Sequence, residues 1–243
     1  MISIATSPKA TAFIESVLAH RPALAVFDCD GTLWAGDAGE GFYHWELNRG
    51  LLSEETVRWA RQRYADYKSG KVDEETMCGD MVAIHRGLRE VEVQNAATEY
   101  FAQNFVARIF PEMRSLVNRL QQAGTDVWAV SSSNLWLIRA GMKHCGIRDD
   151  RILATAAQVE NGVVTDRLIR IPTGVGKIKA IQDVIRKVPD VAFGNSRWDV
   201  EMLKLSRHAF AVNPNPDLEK TADDRGWTVY WPDGKAKRRG IKS

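Results

Sequence analysis

The sequence predicts an α/β fold in which a parallel sheet with crossover helices is interrupted by an inserted helical block. Short apolar runs that are typical of buried strands alternate with helical patterns after residue 110, and this alternation is characteristic of a parallel sheet. Between residues 37 and 105 the pattern is helical throughout. One further apolar run, Ala23 to Phe27, precedes that block and ends at Asp28, so the sheet is expected to begin before the insertion.

The composition excludes several classes of protein. A chain of 243 residues can hold one large domain, or a core domain with an insertion. Its 33 basic and 31 acidic residues leave a net charge of +2, which gives no overall field that would favour nucleic acid or an anionic membrane. One basic run near the C-terminus lacks interleaved aromatic residues and is interpreted as a solvated tail. It contains Lys235, Lys237, Arg238, Arg239 and Lys242.

The cysteines and the apolar runs indicate the cellular compartment in which the protein is expected. Cys29, Cys78 and Cys145 are odd in number and form no CxxC pattern, so neither a disulfide framework nor a thiolate metal site is predicted. No apolar run reaches the roughly 18 residues that span a bilayer, and the N-terminus lacks the pattern of a secretory signal. We expect a cytoplasmic protein without a nucleic-acid or membrane partner, and the oligomeric state stays open.

Caps and periodicity predict the elements in chain order. Ser7 followed by Pro8 predicts a helix that runs to Ala19. The helical block then has three expected breaks, at Gly50, Gly70 and Gly87. Asn161-Gly162 between two β-like runs predicts an antiparallel hairpin over residues 158–171. The other predicted elements are a helix to residue 122, strand 126–130, helix 135–143, strand 152–156, helix 177–186, strand 191–193, helix 199–205, strand 209–212, helix 216–224 and strand 228–231.

Two carboxylates stand at the end of the first predicted strand. Asp28 and Asp30 are two residues apart, so both can lie on one face of the extended chain. The carboxyl ends of parallel strands are where open α/β sheets bind ligands. The two charges would repel each other, and a hard cation such as Mg²⁺, which takes oxygen ligands, would hold them together. The alternative interpretation is an ordinary Asp-Gly turn.

The segment Asp28-Cys29-Asp30-Gly31-Thr32 resembles the first motif, DxDGT, of the phosphatase branch of the haloacid dehalogenase (HAD) superfamily. The resemblance implies a Rossmann-like, doubly wound parallel sheet. It implies that Asp28 is a nucleophile that forms an aspartyl-phosphate, and that Asp30 protonates the leaving oxygen and later activates water. It also implies Mg²⁺ as the cofactor, bound by the Asp28 side chain and the Asp30 carbonyl, and it places Thr32 among the phosphate-binding residues.

Three later positions match the other motifs of that superfamily in the expected order. The resemblance makes Ser131 or Ser132 the hydroxyl that binds the phosphoryl oxygens, because the triple serine at 131–133 leaves the register open. Lys177 is the lysine that neutralises charge on the nucleophile and the phosphoryl group. Asn195 and Asp199 complete the metal site. Asn195 replaces the usual acid, which predicts weaker metal affinity, and Asp199 is expected to orient metal-bound water.

The same resemblance divides the chain into domains. It implies a core over residues 1–36 and 107–243 and a helical cap over residues 37–106, as in the subgroup that contains phosphoserine phosphatase. Asp37 matches the acidic residue that this subgroup places near the substrate amine, and Glu40 is a second candidate for that role.

The arginine with which that subgroup binds the substrate carboxylate has no clear counterpart. Counting back from Leu88 places Met81 at about its position, and Arg86 and Arg89 stay unassigned. Phosphoserine itself is therefore not implied.

The predicted activity is a magnesium-dependent phosphatase that hydrolyses a small phosphorylated metabolite, phosphoserine-like or another phosphomonoester, through an aspartyl-phosphate. Phosphotransferase and phosphonatase activities stay open, because the same intermediate on Asp28 can pass to another acceptor. A signalling module phosphorylated on Asp28 without turnover is an alternative from a different class. Such a module has no need of Asp30 as an acid and base or of a large cap.

Overall fold

A single sheet of seven strands forms the centre of the computed structural model, which describes residues 7–233. The strands are β1 (Leu24–Phe27), β2 (Asp126–Asn134), β3 (Ile152–Glu160), β4 (Val163–Arg170), β5 (Val191–Gly194), β6 (His208–Val212) and β7 (Thr228–Tyr230). Their order across the sheet is β4-β3-β2-β1-β5-β6-β7. Every neighbouring pair is parallel except β3 and β4. The predicted α/β fold is thus confirmed, and β1 lies at its centre.

Helices connect the strands and form the insertion. Within the described residues the α-helices are α1 (Pro8–Leu18), α2 (Ala38–Glu46), α3 (Glu54–Lys68), α4 (Glu74–Ala83), α5 (Glu90–Asn104), α6 (Pro111–Gln122), α7 (Leu135–Cys145), α8 (Val175–Ala180), α9 (Val200–Leu205) and α10 (Pro216–Arg225). A π-helical turn over Ile181–Ile185 extends α8. No helix in residues 7–233 has the length and apolar character of a membrane span. The C-terminal basic run lies outside the described residues.

Two strands, β2 and β3, each extend four residues beyond their predicted ends. β2 continues through the triple serine because Asn134, rather than a serine, caps α7. The Asn134 Oδ1 atom accepts hydrogen bonds from the Trp136 and Leu137 amides at 2.9 and 3.4 Å. β3 continues to residue 160 because it pairs with β4 in the predicted hairpin. The turn of that hairpin has positive φ at both Asn161 and Gly162 (50° and 77°), as a type I′ turn requires.

The inserted helices α2 to α5 share part of their apolar interior with the core. Phe101 of α5 lies edge-on to Trp34 with ring centroids 5.0 Å apart, and both belong to the cluster that includes Phe27 of β1. Gly141 of α7 lets this contact form, since a Cβ there would lie 2.8 Å from the Phe101 ring. A second cluster, around Tyr43 and Met77, belongs to the insertion alone. The division at residues 37 and 106 stays a prediction.

Candidate active site

Three buried charged groups meet beyond the carboxyl ends of β1 and β5. The Lys177 ammonium donates to Asp28 Oδ1 at 2.7 Å, to Asp199 Oδ1 at 2.5 Å and to the Val130 carbonyl at 2.9 Å. Burial acts to lower the pKa of Lys177, but the two carboxylates outweigh it and the pKa is raised. Lys177 therefore stays charged inside the protein, and it holds two carboxylates that would otherwise repel each other.

Asp28 is fixed by donors on both of its oxygens. Its Oδ2 atom accepts a hydrogen bond from the Thr32 hydroxyl at 2.9 Å, and its amide donates to the Phe193 carbonyl of β5 at 2.9 Å. Burial, followed by the charge of Asp199, raises the pKa of Asp28 to about 6, although Lys177 and Thr32 act in the opposite direction. Thr32 orients the candidate nucleophile in this arrangement, and its predicted contact with phosphate stays a prediction.

Asp30 is held in a separate hydrogen-bond network on the side of the inserted helices. Its Oδ1 atom accepts from the Trp34 indole N–H at 2.8 Å and the Ala38 amide at 2.6 Å, and its Oδ2 atom accepts from the Ser133 hydroxyl at 2.6 Å. Desolvation in this crowded site, together with the charge of Asp37, raises the pKa of Asp30 to about 7. A carboxyl with such a pKa can carry a proton near neutral pH and release it on demand.

The three serines of β2 have different surroundings. Ser131 and Ser133, two residues apart, share a face of the strand, and the Ser131 hydroxyl accepts from the Ser133 amide at 3.1 Å. Ser133 was not among the predicted site residues, although the period of two along a strand would have found it beside Ser131. The Ser132 carbonyl accepts from Thr155 of β3 at 2.6 Å. The roles of Ser131 and Ser132 in phosphate binding stay predictions.

Asp199 anchors the loop after β5. Its Oδ2 atom accepts from the Asn195 and Ser196 amides, both at 2.9 Å, while its Oδ1 atom receives the Lys177 ammonium. Both oxygens thus have protein donors, and Asp199 positions Lys177 and this loop. Direct metal ligation by Asp199 stays a prediction.

Asn195 lies directly against the first motif. A Cβ at Gly31 would lie 1.8 Å from Asn195 Nδ2, and Gly31 has φ +75°, so this approach requires glycine. The Gly31 carbonyl also accepts from Asn213 Nδ2 at 3.0 Å, a contact that the sequence analysis missed. Asn213 directly follows β6, and that position at the carboxyl edge of the sheet was its only signal.

The groups at this edge suit a hard divalent cation. The Asp28 carboxylate, the Asp30 carbonyl and the Asn195 amide are all oxygen donors, which is the ligand type that Mg²⁺ takes. The buried cluster of Asp28, Asp199 and Lys177 carries two negative charges and one positive charge when all three groups are ionised. The cluster therefore has one negative charge without a partner. A bound cation would compensate this charge, because buried charges need partners.

A cavity of about 60 Å³ opens between α2, α3, α4 and the end of β2. We call it the acidic cavity. It is lined by Asp37, Gly39, Glu40, Phe42, Tyr43, Glu46, Tyr64, Tyr67, Glu74, Met77, Cys78, Met81, Ser132, Ser133 and Asn134. The predicted pair Asp37 and Glu40 thus lies in one cavity, where Asp37 Oδ1 caps α2 by accepting from the Glu40 amide at 2.8 Å. Sequence reasoning missed Glu46, Glu74 and the tyrosines, because their spacing is that of ordinary helix faces.

The family model of the haloacid dehalogenase-like hydrolases matches residues 25–204, and the chain belongs to this family. It is 27% identical over 217 residues to a histidinol-phosphatase of Neisseria meningitidis, and the matched region covers 85% of this chain and 97% of that protein. It is also 27% identical over 238 residues to a phosphoserine phosphatase of Mycobacterium tuberculosis, and the matched region covers 91% of this chain and 75% of that protein.

Solved structures share the fold. A Bordetella pertussis protein of unknown function is 21% identical, with a TM-score of 0.72 over 85% of this chain and 97% of that one. A substrate-bound phosphoserine phosphatase is 18% identical, with a TM-score of 0.56 over 86% of this chain and 92% of that one. The family, the fold and the class of enzyme predicted from the motifs, a hydrolase of the haloacid dehalogenase type with phosphatases among its relatives, are thereby confirmed.

Proposed function

We propose that this chain is a magnesium-dependent phosphatase that hydrolyses a small phosphomonoester through an aspartyl-phosphate on Asp28. The observation that carries the proposal is the buried arrangement of two carboxyl groups with different partners. Asp28 contacts Lys177 at 2.7 Å, whereas Asp30 has no Lys or Arg partner in the described residues and has a pKa raised to about 7. Two carboxyl groups held in different environments can divide the roles of nucleophile and acid.

The proposed reaction has two displacements at phosphorus. Asp28 attacks the phosphorus atom, the bond to the leaving oxygen breaks, and Asp30 gives its proton to that oxygen. Asp30 then takes a proton from water, which attacks the aspartyl-phosphate, so that phosphate leaves and Asp28 is regenerated. Lys177 stabilises the negative charge during both steps. Bound Mg²⁺, held by Asp28, the Asp30 carbonyl and Asn195, would supply further charge neutralisation.

The substrate is proposed to be a small metabolite. The names of the relatives suggest two candidates, histidinol phosphate and phosphoserine, and both carry an amine. The predicted cap residues Asp37 and Glu40, which lie together in the acidic cavity, suit such a substrate.

Release of inorganic phosphate from p-nitrophenyl phosphate, with and without Mg²⁺, tests the proposal. Stoichiometric labelling of the protein without turnover would favour the signalling module. Transfer of the phosphoryl group to an added alcohol, with little free phosphate, would favour a phosphotransferase. Cleavage of a carbon–phosphorus bond with inactivity on all esters would favour a phosphonatase. Magnesium-dependent turnover of the ester would support the phosphatase.

Replacing Asn195 by aspartate is expected to tighten Mg²⁺ binding. The change adds one negative charge beside Asp28 and Gly31, where the donor set suits a hard cation, and the affinity should rise roughly 10-fold or more. Calorimetric titration with Mg²⁺ measures this without relying on activity. Asn118→Asp on the exposed face of α6 adds the same charge away from the site and should leave the affinity unchanged. Unchanged or weaker affinity in the Asn195 variant would argue against ligation at this position.

A further inference from the structure

We propose that the acidic cavity, which is lined by the buried and incompletely hydrogen-bonded Glu46 and by three further acidic residues, selects a leaving group that carries a protonated nitrogen and no carboxylate. The substrate class would then be phosphate esters of amino alcohols, as opposed to phosphorylated amino acids. This inference rests on the proposed phosphatase function and specifies its substrate.

The position of the cavity assigns it to the leaving group. Ser133 lines the cavity and donates to Asp30 Oδ2 at 2.6 Å. Ala38, at the start of α2, donates to the other oxygen of Asp30 at 2.6 Å. Asp30 is the group that protonates the leaving oxygen in the proposed reaction. A leaving group whose oxygen meets Asp30 therefore extends along Ser133 into this cavity.

Glu46 provides an acceptor that lacks a donor. Its side chain is 1% exposed, its Oε2 atom lies 2.8 Å from His85 Nε2, and its Oε1 atom has no partner. His85 Nδ1 lies 3.0 Å from the Val82 carbonyl and must donate to it, so one proton is shared between His85 Nε2 and Glu46 Oε2. Burial raises the pKa of Glu46 and acts to lower the pKa of His85, but the charge of Glu46 outweighs this and the pKa of His85 is raised. The pair is neutral as a whole whichever atom carries the proton, and in both forms Oε1 is an acceptor without a donor.

Asn134 provides the complementary donor. Its Oδ1 atom caps α7, whereas its buried Nδ2 atom has no partner and the residue lines the cavity. Buried polar atoms are nearly always hydrogen-bonded in proteins, so an unpaired acceptor and an unpaired donor on two residues that line one cavity indicate a polar ligand there. An amino-alcohol leaving group donates through its protonated amine, and an imidazole ring with a bare nitrogen can in addition accept from Asn134.

The charges around the cavity favour a cation and oppose a carboxylate. Besides Glu46, which forms a neutral pair with His85, the acids Asp37, Glu40 and Glu74 line it, and no Lys or Arg does so among the described residues. Lys68 lies 3.7 Å from Glu40 but is 58% exposed on the outside, and it offsets only part of this charge. A carboxylate on the leaving group would lie among acids without a cationic partner. The free-energy cost of this unpaired charge strongly disfavours binding of such a substrate.

Two tyrosines hold the acids in place at the mouth of the cavity. The Tyr64 hydroxyl donates to Glu40, and the Tyr67 hydroxyl donates to Glu74. Neither Asp37 nor Glu74 has a Lys or Arg within ion-pair distance in residues 7–233. These acids are therefore available to a cationic ligand.

The test compares two esters that differ by one carboxylate. Hydrolysis of phosphoethanolamine and O-phospho-L-serine is measured, with L-histidinol phosphate as a second amino-alcohol ester and p-nitrophenyl phosphate as the reference. We expect kcat/KM for phosphoethanolamine to exceed that for phosphoserine by roughly 100-fold, within the range that unpaired polar groups produce. Equal or greater activity on phosphoserine would overturn the inference and leave the phosphatase function standing. Inactivity on all four esters would overturn the function, and the inference with it.

Met81→Arg tests the missing cation by adding it. Met81 lines the cavity and is half-buried, so an arginine there can reach a ligand carboxylate and form a bidentate pair. The ratio of kcat/KM for phosphoserine over phosphoethanolamine should rise at least roughly 10-fold. Asn95→Arg on the exposed face of α5 adds the same charge elsewhere and should keep the wild-type ratio. An unchanged ratio in a folded Met81 variant would overturn the inference.

Glu46→Met tests the acceptor with an unbranched side chain of similar length that has no oxygen. Its KM for phosphoethanolamine, relative to that for p-nitrophenyl phosphate, should rise roughly 10-fold or more. Binding of phosphoethanolamine to the Asp28→Asn protein, with and without Glu46→Met, gives the same comparison by calorimetry independently of turnover. A relative KM and an affinity that do not change would overturn the role of Glu46.

Discussion

Replacing Asp28 by asparagine is expected to abolish turnover, with a loss of roughly 10⁴- to 10⁶-fold in kcat, while the protein stays folded. An amide cannot attack phosphorus as a carboxylate does. The fold should survive because Lys177 keeps a partner in Asp199 at 2.5 Å. The variant leaves one positive and one negative charge in the buried cluster, so no charge is left unpaired.

The experiment measures phosphate release and beryllium fluoride binding in both proteins. Beryllium fluoride mimics a phosphoryl group on an aspartate and should bind the wild-type protein alone. Asp217→Asn, at an exposed position in the first turn of α10, makes the same chemical change away from the site and should retain full activity. Phosphate release at the wild-type rate by the Asp28 variant would rule out the aspartyl-phosphate mechanism.

Much of the core could be predicted from sequence because its signals are local. The hairpin at Asn161-Gly162 and the start of α1 at Ser7 each depend on residues adjacent in the chain, and the structure has both where they were predicted. The breaks at glycines 50, 70 and 87 also follow from local chemistry, since all three have positive φ. Strand ends were less predictable, because β2 runs on to the Asn134 cap of α7 and β3 is extended by its pairing with β4.

The candidate site was predictable only in part. Motif order brought Asp28, Lys177 and Asp199 into consideration, and the structure gathers them into one buried cluster. The hydrogen bond from Ser133 to Asp30 was not predictable, since Ser133 is more than one hundred residues away and reaches Asp30 only through the sheet. The role of Glu46 was not predictable either, because a glutamate on an amphipathic helix is normally solvated, and only the structure shows that it is buried against His85.

The helical insertion shows a further limit of sequence reasoning. The change from mixed to purely helical pattern predicted a separate cap, and it located the inserted helices correctly. It could not show that Phe101 of α5 packs on Trp34, within the same apolar cluster as the sheet. Whether residues 37–106 move as one unit therefore stays a prediction. The second cluster, around Met77, joins α2, α3 and α4 to one another, and α4 also packs on β2, β3 and β4.

Lys177→Met is expected to impair stability as strongly as activity. The substitution keeps an unbranched side chain of similar length but leaves Asp28 and Asp199 buried without their shared cation. Removing one partner of a buried ion pair costs about 3–5 kcal/mol of unfolding free energy, which urea unfolding at neutral pH without Mg²⁺ can measure. Lys179→Met, an exposed position on the same helix, should change stability by no more than about 0.5 kcal/mol.

Two further comparisons tie this loss to the facing carboxylates. Adding Asp199→Asn to the Lys177 variant removes one of the two negative charges, so the double variant should regain part of the lost stability although it has one more substitution. Lowering the pH should have the same effect. Burial already raises the pKa of Asp28, and loss of the opposing Lys177 charge raises it further, so the destabilising charge of Asp28 disappears as the pH falls through the folded-state pKa. The deficit of the Lys177 variant relative to wild type should therefore shrink from pH 7 towards pH 5. A deficit that is independent of pH, together with further destabilisation in the double variant, would show that Lys177 stabilises the fold by packing, and not by pairing the two acids.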